Sequence, residues 1–351
     1  MYTYALIYLA GAIASLVMRH RKAAKYPTLL AALFLLVFIG GRGQVGCDYI
    51  GYWLRFASLY PVGFGWREAF SMPEGGFHLL NVVAHDLGGG FNTLIVLCAL
   101  IFVGGLTRFS MLATNSIALM TFAFPVLVVQ LAMSGLRQAC ALGFLMMAYG
   151  TFTRGFRLRT ALWIVVGFFF HVSAIVMLPL AFLPRRRLRV PYVLMALVLA
   201  VPLVAYLLSG RMEIYSDRYV DQIYGENSSG GAWIRYALAA APLGLSYWRR
   251  FEIGRSRPEV LPLLRLFALA TPVLIMLGLI STIALHRLTY YIFPVSLLAL
   301  LALAESAVSP GTRNARLAGA LGLYGAYLGS WFLLSRHASA CYVPYKTWWL
   351  G

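Results

Sequence analysis

Apolar residues fall in long, nearly unbroken runs separated by short polar stretches, without the period-two alternation of strands. Runs of about twenty such residues match the hydrocarbon thickness of a bilayer. They predict ten helical spans, at roughly 2–18, 27–40, 91–107, 112–131, 135–152, 191–209, 232–248, 261–283, 287–306 and 316–335. Lipid offers no water to unpaired backbone groups, so runs of this kind favour helices over a barrel. The predicted fold class is all-α, a polytopic integral membrane bundle of about 10–11 transmembrane helices. The first run is read as a retained anchor, because MYTYAL carries no side-chain cation and the basic cluster RHRK follows the run.

Composition sharpens this picture. Of 351 residues, 61% are hydrophobic, more than a soluble core of this size requires. The net charge is +18, from 29 Lys and Arg against 11 Asp and Glu. These cations are scattered among short loops with no basic domain to hold them, which argues against nucleic acid as a partner and for membrane orientation. The basic stretches 19–25, 154–159 and 249–257, with Arg313 and Arg316, are assigned to the cytoplasm, and both termini then face outward. The segment 161–184 has RGFRLR before it and RRRLR after it, which favours a re-entrant hairpin with HVSA near its tip over an eleventh span.

The chain is read as one transmembrane domain, 1–351, with two outer segments long enough to matter, 41–90 and 210–231. The first contains YIGYWLRFASLY, whose aromatic and apolar positions mixed with Arg55 suit an interfacial helix. The second holds four of the 11 acids, with Tyr215 and Tyr219, and Asp217 and Asp221, each four apart. It is read either as a sugar-holding loop or as a plain cover over the bundle. Four cysteines without CxxC spacing and six histidines without HxxxH spacing point away from a metal site. Cys98 and Cys140 read as packing residues. Cys47 and Cys341 can reach one side of the membrane, though a disulfide is not expected between them.

Ionisable groups at or inside a membrane are costly, so each carries a functional hypothesis. They fall in five places: Arg42 with Asp48, Glu74, Arg137 with Gln138, His171 with Ser173, and Arg287 with Tyr290 and Tyr291. Each also has a plainer reading. Arg42 and Asp48 form an interfacial ion pair, Glu74 a helix cap, and Arg137 and Arg287 snorkelling anchors. His171 is then a packing residue, and the tyrosines belong to an aromatic belt.

Taken in order, the motifs are R-x-x-x-G-x-D-x-x-x-Y (Arg42, Gly46, Asp48, Tyr52), E-x-G-F (Glu74, Gly76, Phe77), RQ-x-x-A (Arg137, Gln138, Ala141), FH-x-SA (Phe170, His171, Ser173, Ala174) and R-x-x-YY (Arg287, Tyr290, Tyr291). This series, spanning about residues 40 to 295, resembles the EpsG family of Wzy-type polysaccharide polymerases. Two departures are Cys47, where the family usually has Thr, and Gly75, where Pro is common.

The resemblance implies a GT-C-like bundle at the bacterial inner membrane with its active site facing outward. Such a protein would move a growing glycan from undecaprenyl diphosphate onto the next undecaprenyl-diphosphate-linked repeat. Its partners would be that lipid-linked donor and acceptor, membrane lipid and a chain-length regulator protein, without cofactor or metal. On this reading Arg137 and Arg287 bind the diphosphate, with Arg42 as a third cation or as the orienting partner of Asp48. Glu74 and His171, ranked above Asp48, compete for the role of base, and Gln138, Tyr52, Tyr290 and Tyr291 support the site or hold sugar. The competing functions are an O-antigen-ligase-like glycosyltransferase, a lipid-linked oligosaccharide flippase and a membrane acyltransferase. A flippase predicts repeat halves and a central cationic path, which the sequence does not show.

Overall fold

Leu-, Ala- and Phe-rich runs lose little rotamer freedom in a helix and satisfy their own backbone, so helix is what they form. The structure is a computed structural model that describes residues 1–18, 25–59, 64–183, 231–280 and 282–350. Its α-helices are α1 (Tyr2–Val17), α2 (Lys25–Gly40), α3 (Tyr49–Leu59), α4 (Trp66–Ser71), α5 (Gly75–Asp86), α6 (Gly90–Ser110), α7 (Ser116–Ala123), α8 (Leu136–Thr153), α9 (Arg157–Phe170), α10 (Gly231–Trp248), α11 (Arg250–Ser256), α12 (Leu261–Ile280), α13 (Thr282–Glu305), α14 (Pro310–Leu334) and α15 (Arg336–Tyr342). A π-helix over Phe124–Ala132 continues α7, and a 3-10 stretch over Val172–Ala181 follows α9. Among the described residues there is no strand, only an isolated antiparallel bridge between Arg42 and Thr347.

The chain is an all-α polytopic membrane protein. Among the described residues, Gly90–Ser110, Ala284–Glu305 and Pro310–Leu334 are long and apolar enough to cross a bilayer, and shorter apolar helices include Tyr2–Val17 and Lys25–Gly40. Helix α1 exposes Leu6, Leu9, Ile13 and Val17 at helical spacing, a stripe suited to lipid rather than water. The expected span 191–209 and the acidic segment 210–231 lie outside the described residues. The segment 161–184 is not one continuous α-helix: α9 ends at Phe170 and the 3-10 stretch starts at Val172, so His171 stands at the break.

The chain divides into two compact units. Unit 1 comprises Met1–Met147, Val166–His171 and Ala307–Gly351, and unit 2 comprises Ala148–Val165 and Val172–Ser306. In unit 1, polar side chains tie helices together where apolar surface alone gives no preference between lipid and protein. Tyr8 donates to the Leu321 carbonyl at 2.6 Å, Asn115 donates to the Ser15 carbonyl at 2.8 Å, and the Thr28 and Ser116 hydroxyls meet at 2.5 Å. The Asn115 side chain also caps α7 by accepting from the Ala118 amide.

Helices α6 and α8 approach through glycine. A Cβ on Gly105 would lie 2.1 Å from the Gly143 carbonyl oxygen, and one on Gly143 would lie 2.7 Å from that of Ile101. This contact fixes the helix whose first turn carries Arg137. In unit 2, Tyr236 donates to the Thr271 carbonyl at 2.7 Å, joining α10 to α12. Arg257 bridges Glu259 and Glu305, each at 2.6 Å.

The loop between α2 and α3 is closely packed. Gly46 has φ +110°, and a Cβ there would lie 1.9 Å from the Met133 carbonyl oxygen, at the corner between the π-helix and α8. Gly46→Ala is therefore expected to lower the thermal midpoint, at a cost of roughly 2–3 kcal/mol. Gly88→Ala, at φ +69° but facing open space, should cost less. Thermal unfolding of the two variants in detergent checks the ordering.

Candidate active site

The site in unit 1 is organised around Glu74. This residue is the N-cap of α5 and sits in the left-handed region at φ 61° and ψ 39°. A non-glycine residue held there costs roughly 1–3 kcal/mol and persists only when its surroundings fix it. The surroundings are close-packed glycine turns. A Cβ on Gly76 would lie 3.1 Å from the Cβ and carbonyl oxygen of Phe169, so the start of α5 presses against the end of α9 and delivers Glu74 to His171.

Both carboxylate oxygens of Glu74 are engaged. Arg137 Nη1 donates to Oε2 at 2.5 Å, and His171 Nδ1 lies 3.0 Å from Oε1. The Glu74 side chain is 3% exposed and that of Arg137 34%, so the arginine reaches outward from a buried anion. An ionised carboxylate only accepts hydrogen bonds, so His171 must carry its proton on Nδ1. The neutral ring then has Nε2 as its basic nitrogen. A carboxylate that fixes the tautomer and orientation of an imidazole is the arrangement that makes histidine a directed base.

The Arg137 guanidinium lies 5.9 Å from the centroid of the Tyr52 ring, on α3. Burial pushes the Tyr52 phenol up from its usual range, and the charge of Arg137 pulls it back. Gln138 is buried beside Arg137 in the first turn of α8. Asp48 lies at the start of α3, where its carboxylate accepts from the Ser134 hydroxyl at 2.9 Å and its amide donates to the same hydroxyl at 3.3 Å.

Arg42 departs from expectation. It is 2% exposed, and its Nε and Nη1 donate to the Val45 and Ile39 carbonyls at 3.2 and 2.5 Å. Asp48 is bound to Ser134 instead of Arg42, so the expected pairing is not formed. Burial draws the Arg42 guanidinium down to about 10, which leaves it charged at neutral pH. Its role in the fold is to tie the last turn of α2 to the loop that follows.

Arg287, Tyr290 and Tyr291 belong to unit 2. Tyr291 is fully buried; Tyr149 donates to its carbonyl at 2.9 Å, and its hydroxyl meets that of Ser173 at 2.7 Å. The His286 ring lies edge-on to Tyr290 at 4.9 Å, within the fields of both Arg287 and Arg235. Sequence reasoning missed Arg235, and Ser134, whose partnership with Asp48 has no local signal. It also missed His78, although the spacing in PEGGFHLLN puts it one helical turn after Glu74.

One group of metal-ligating type occurs among the described residues: Cys47, His337 and Cys341, whose ligand atoms lie within 4.8 Å of one another. The two cysteines are joined in a disulfide, contrary to the sequence expectation, which removes the thiolates a metal would need. The expectation failed because a separation of 294 residues hides the contact from local pattern.

An all-α polytopic membrane protein with an arginine, a carboxylate and a histidine gathered at helix ends is the class these features define. The chain belongs to the EpsG family, whose family profile matches residues 25–347. Membership supports a polysaccharide-polymerase-like, glycosyltransferase-like role in a membrane, with lipid-linked saccharides as the suggested substrates. No curated protein and no solved structure matches the chain.

His78 gives a pH test of this neighbourhood. Burial holds its imidazole below the usual 6.5, with Arg137 and Arg55 acting the same way and Glu74 opposing them. The unfolded chain therefore binds a proton that the folded chain resists, so stability is lost as pH falls below about 6.5. His78→Gln should flatten the decline in thermal midpoint between about pH 6.5 and 5, read by pH-dependent thermal unfolding.

Proposed function

We propose that the chain is a Wzy-type polymerase, which transfers a growing glycan from undecaprenyl diphosphate onto the next lipid-linked repeat at the outer face of the bacterial inner membrane. The observation that carries this reading is the Glu74 carboxylate shared between Arg137 and His171 in a chain of the EpsG family. Transfer breaks the bond between the anomeric carbon and the diphosphate oxygen and forms one to an acceptor hydroxyl. Negative charge develops on the departing diphosphate, and a proton leaves the acceptor.

Arg137, the more exposed partner of the Glu74 pair, meets the first demand, because guanidinium forks match phosphate oxygens. Arg287 is the second proposed diphosphate ligand. His171 meets the second demand: Nε2 takes the acceptor proton while Glu74 holds Nδ1–H and stabilises the imidazolium that forms. Glu74 is thereby an orienting carboxylate. Its buried oxygens already hold two donors, which suits it less to accepting a third proton. Asp48 ranks third, as a support for the start of α3. Arg42, fastened to main-chain carbonyls, is left out of the diphosphate clamp. Two arginines supply the charge that a divalent ion supplies elsewhere, so transfer is proposed to be metal-independent.

The test uses purified protein in nanodiscs, undecaprenyl-diphosphate-linked repeat units from its own host, EDTA in the buffer and products run on a gel. A ladder of longer glycans is expected. Arg137→Ala and His171→Ala should each slow it by roughly 100-fold or more. Asp48→Ala should slow it less, and loss of the ladder in Asp48→Ala alone would overturn this ranking. Single transfer to a lipid core without a ladder would mark a ligase instead.

A further inference from the structure

Residues 336–349 run back over the loop that ends α2. The Gly46 amide donates to the Cys341 carbonyl at 2.8 Å, Gly43 to that of Lys346 at 2.9 Å, and Trp348 to that of Gly41 at 3.1 Å. Trp348 Nε1 donates to the Gly40 carbonyl at 3.1 Å, and Tyr345 donates to that of Phe38 at 2.7 Å while stacking on the Phe38 ring at 4.7 Å. Gly41 and Gly43 let the strap sit this close, since a Cβ on either would strike Trp349 or the Trp348 amide. The Cys47–Cys341 disulfide closes the strap.

The other face of the same loop touches the corner before α8. Gly46 abuts the Met133 carbonyl, and Asp48 exchanges two hydrogen bonds with Ser134, three residues before Arg137. Covalent and hydrogen-bonded contacts therefore run without a gap from Cys341 to Cys47, Asp48, Ser134 and the turn that aims Arg137. Cys47 is exposed and Cys341 half-buried, so a small reductant or an exchange partner can reach the bond.

We propose that the Cys47–Cys341 disulfide is a redox latch that positions the Arg137 corner, so that the chain works fully only when the strap is closed. Cys47 and Cys341 are positioning residues, and Arg42, buried under the strap and bridged to Thr347, is its fixed internal support. The proposal rests on the reading of Arg137 as a diphosphate ligand. Closure requires an oxidant of the thiol–disulfide exchange class in the outer compartment. One protein thiolate attacks its disulfide, the second displaces it as a dithiol, and two electrons pass to the partner as the two cysteines lose their protons. Opening reverses this with an external reductant.

The test treats the wild-type protein in nanodiscs with a phosphine reductant and counts thiols by alkylation and mass spectrometry. The expected result is a KM for the lipid-linked donor raised roughly 10- to 100-fold, with kcat changed less. Amide exchange should quicken at Gly43, Gly46 and Trp348 and at residues 134–138, while α6 stays protected. The double variant Cys47→Ser/Cys341→Ser should match reduced wild type and show no further response to reductant. Reduction verified by mass, with KM and exchange unchanged, would overturn the latch. So would free thiols in the protein as isolated with one equivalent of zinc bound. If no ladder forms even when oxidised, the polymerase reading fails separately. Fluorescent undecaprenyl diphosphate binding and amide exchange, measured with and without reductant, then decide the latch.

Discussion

Glu74 is the constraint from which the rest of unit 1 can be understood. A carboxylate with 3% of its side chain exposed would be untenable alone in a membrane-embedded fold, because burial without partners costs an ion its hydration. Here one oxygen holds a guanidinium and the other an imidazole. Satisfying that anion brings together α5, the first turn of α8 and the break after α9. It also explains a strained backbone at Glu74 and the glycines that follow, which let Phe169 come close. The electrostatics and the packing thus serve one another: the ion pair fixes the helix ends, and the glycine contacts bring them into range.

Arg42 shows the other solution to a buried charge. It is satisfied by main-chain carbonyls, one in the last turn of a helix, where four such groups lack intrahelical partners, and one in the loop that follows. The same ionic type therefore does different work at two positions less than a hundred residues apart: Arg137, half-buried, pairs with a buried carboxylate, and Arg42, fully buried, holds main-chain carbonyls. Unit 2 adds a third pattern, in which buried tyrosines carry polar contacts. Tyr149, Tyr236 and Tyr291 each bury a ring and direct the hydroxyl to a carbonyl or to Ser173.

Family membership supports a polysaccharide-polymerase-like role, and the Glu74–His171 and Glu74–Arg137 contacts suggest how base and leaving-group charge would be divided. On that reading Arg137 needs a fixed aim, and the disulfide-closed strap offers a means of setting it from the far end of the chain.

The sequence alone determined the helical, membrane-spanning character, because backbone satisfaction in lipid admits little else for such runs. Glu74, Arg137, His171 and Tyr52 were also legible in it as costly groups at run ends, set in ordered motifs. Which of them touch was decided only by tertiary structure. Asp48 and Arg42, six residues apart, looked like partners, yet Asp48 joins Ser134 and Arg42 joins the backbone. Cys47 met Cys341 across 294 residues. Local pattern reports the cost of a polar group in lipid, but not the distant group that relieves it. That partner depends on helix crossings set by close contacts such as Gly105 on Gly143, which leave no periodic trace in the chain.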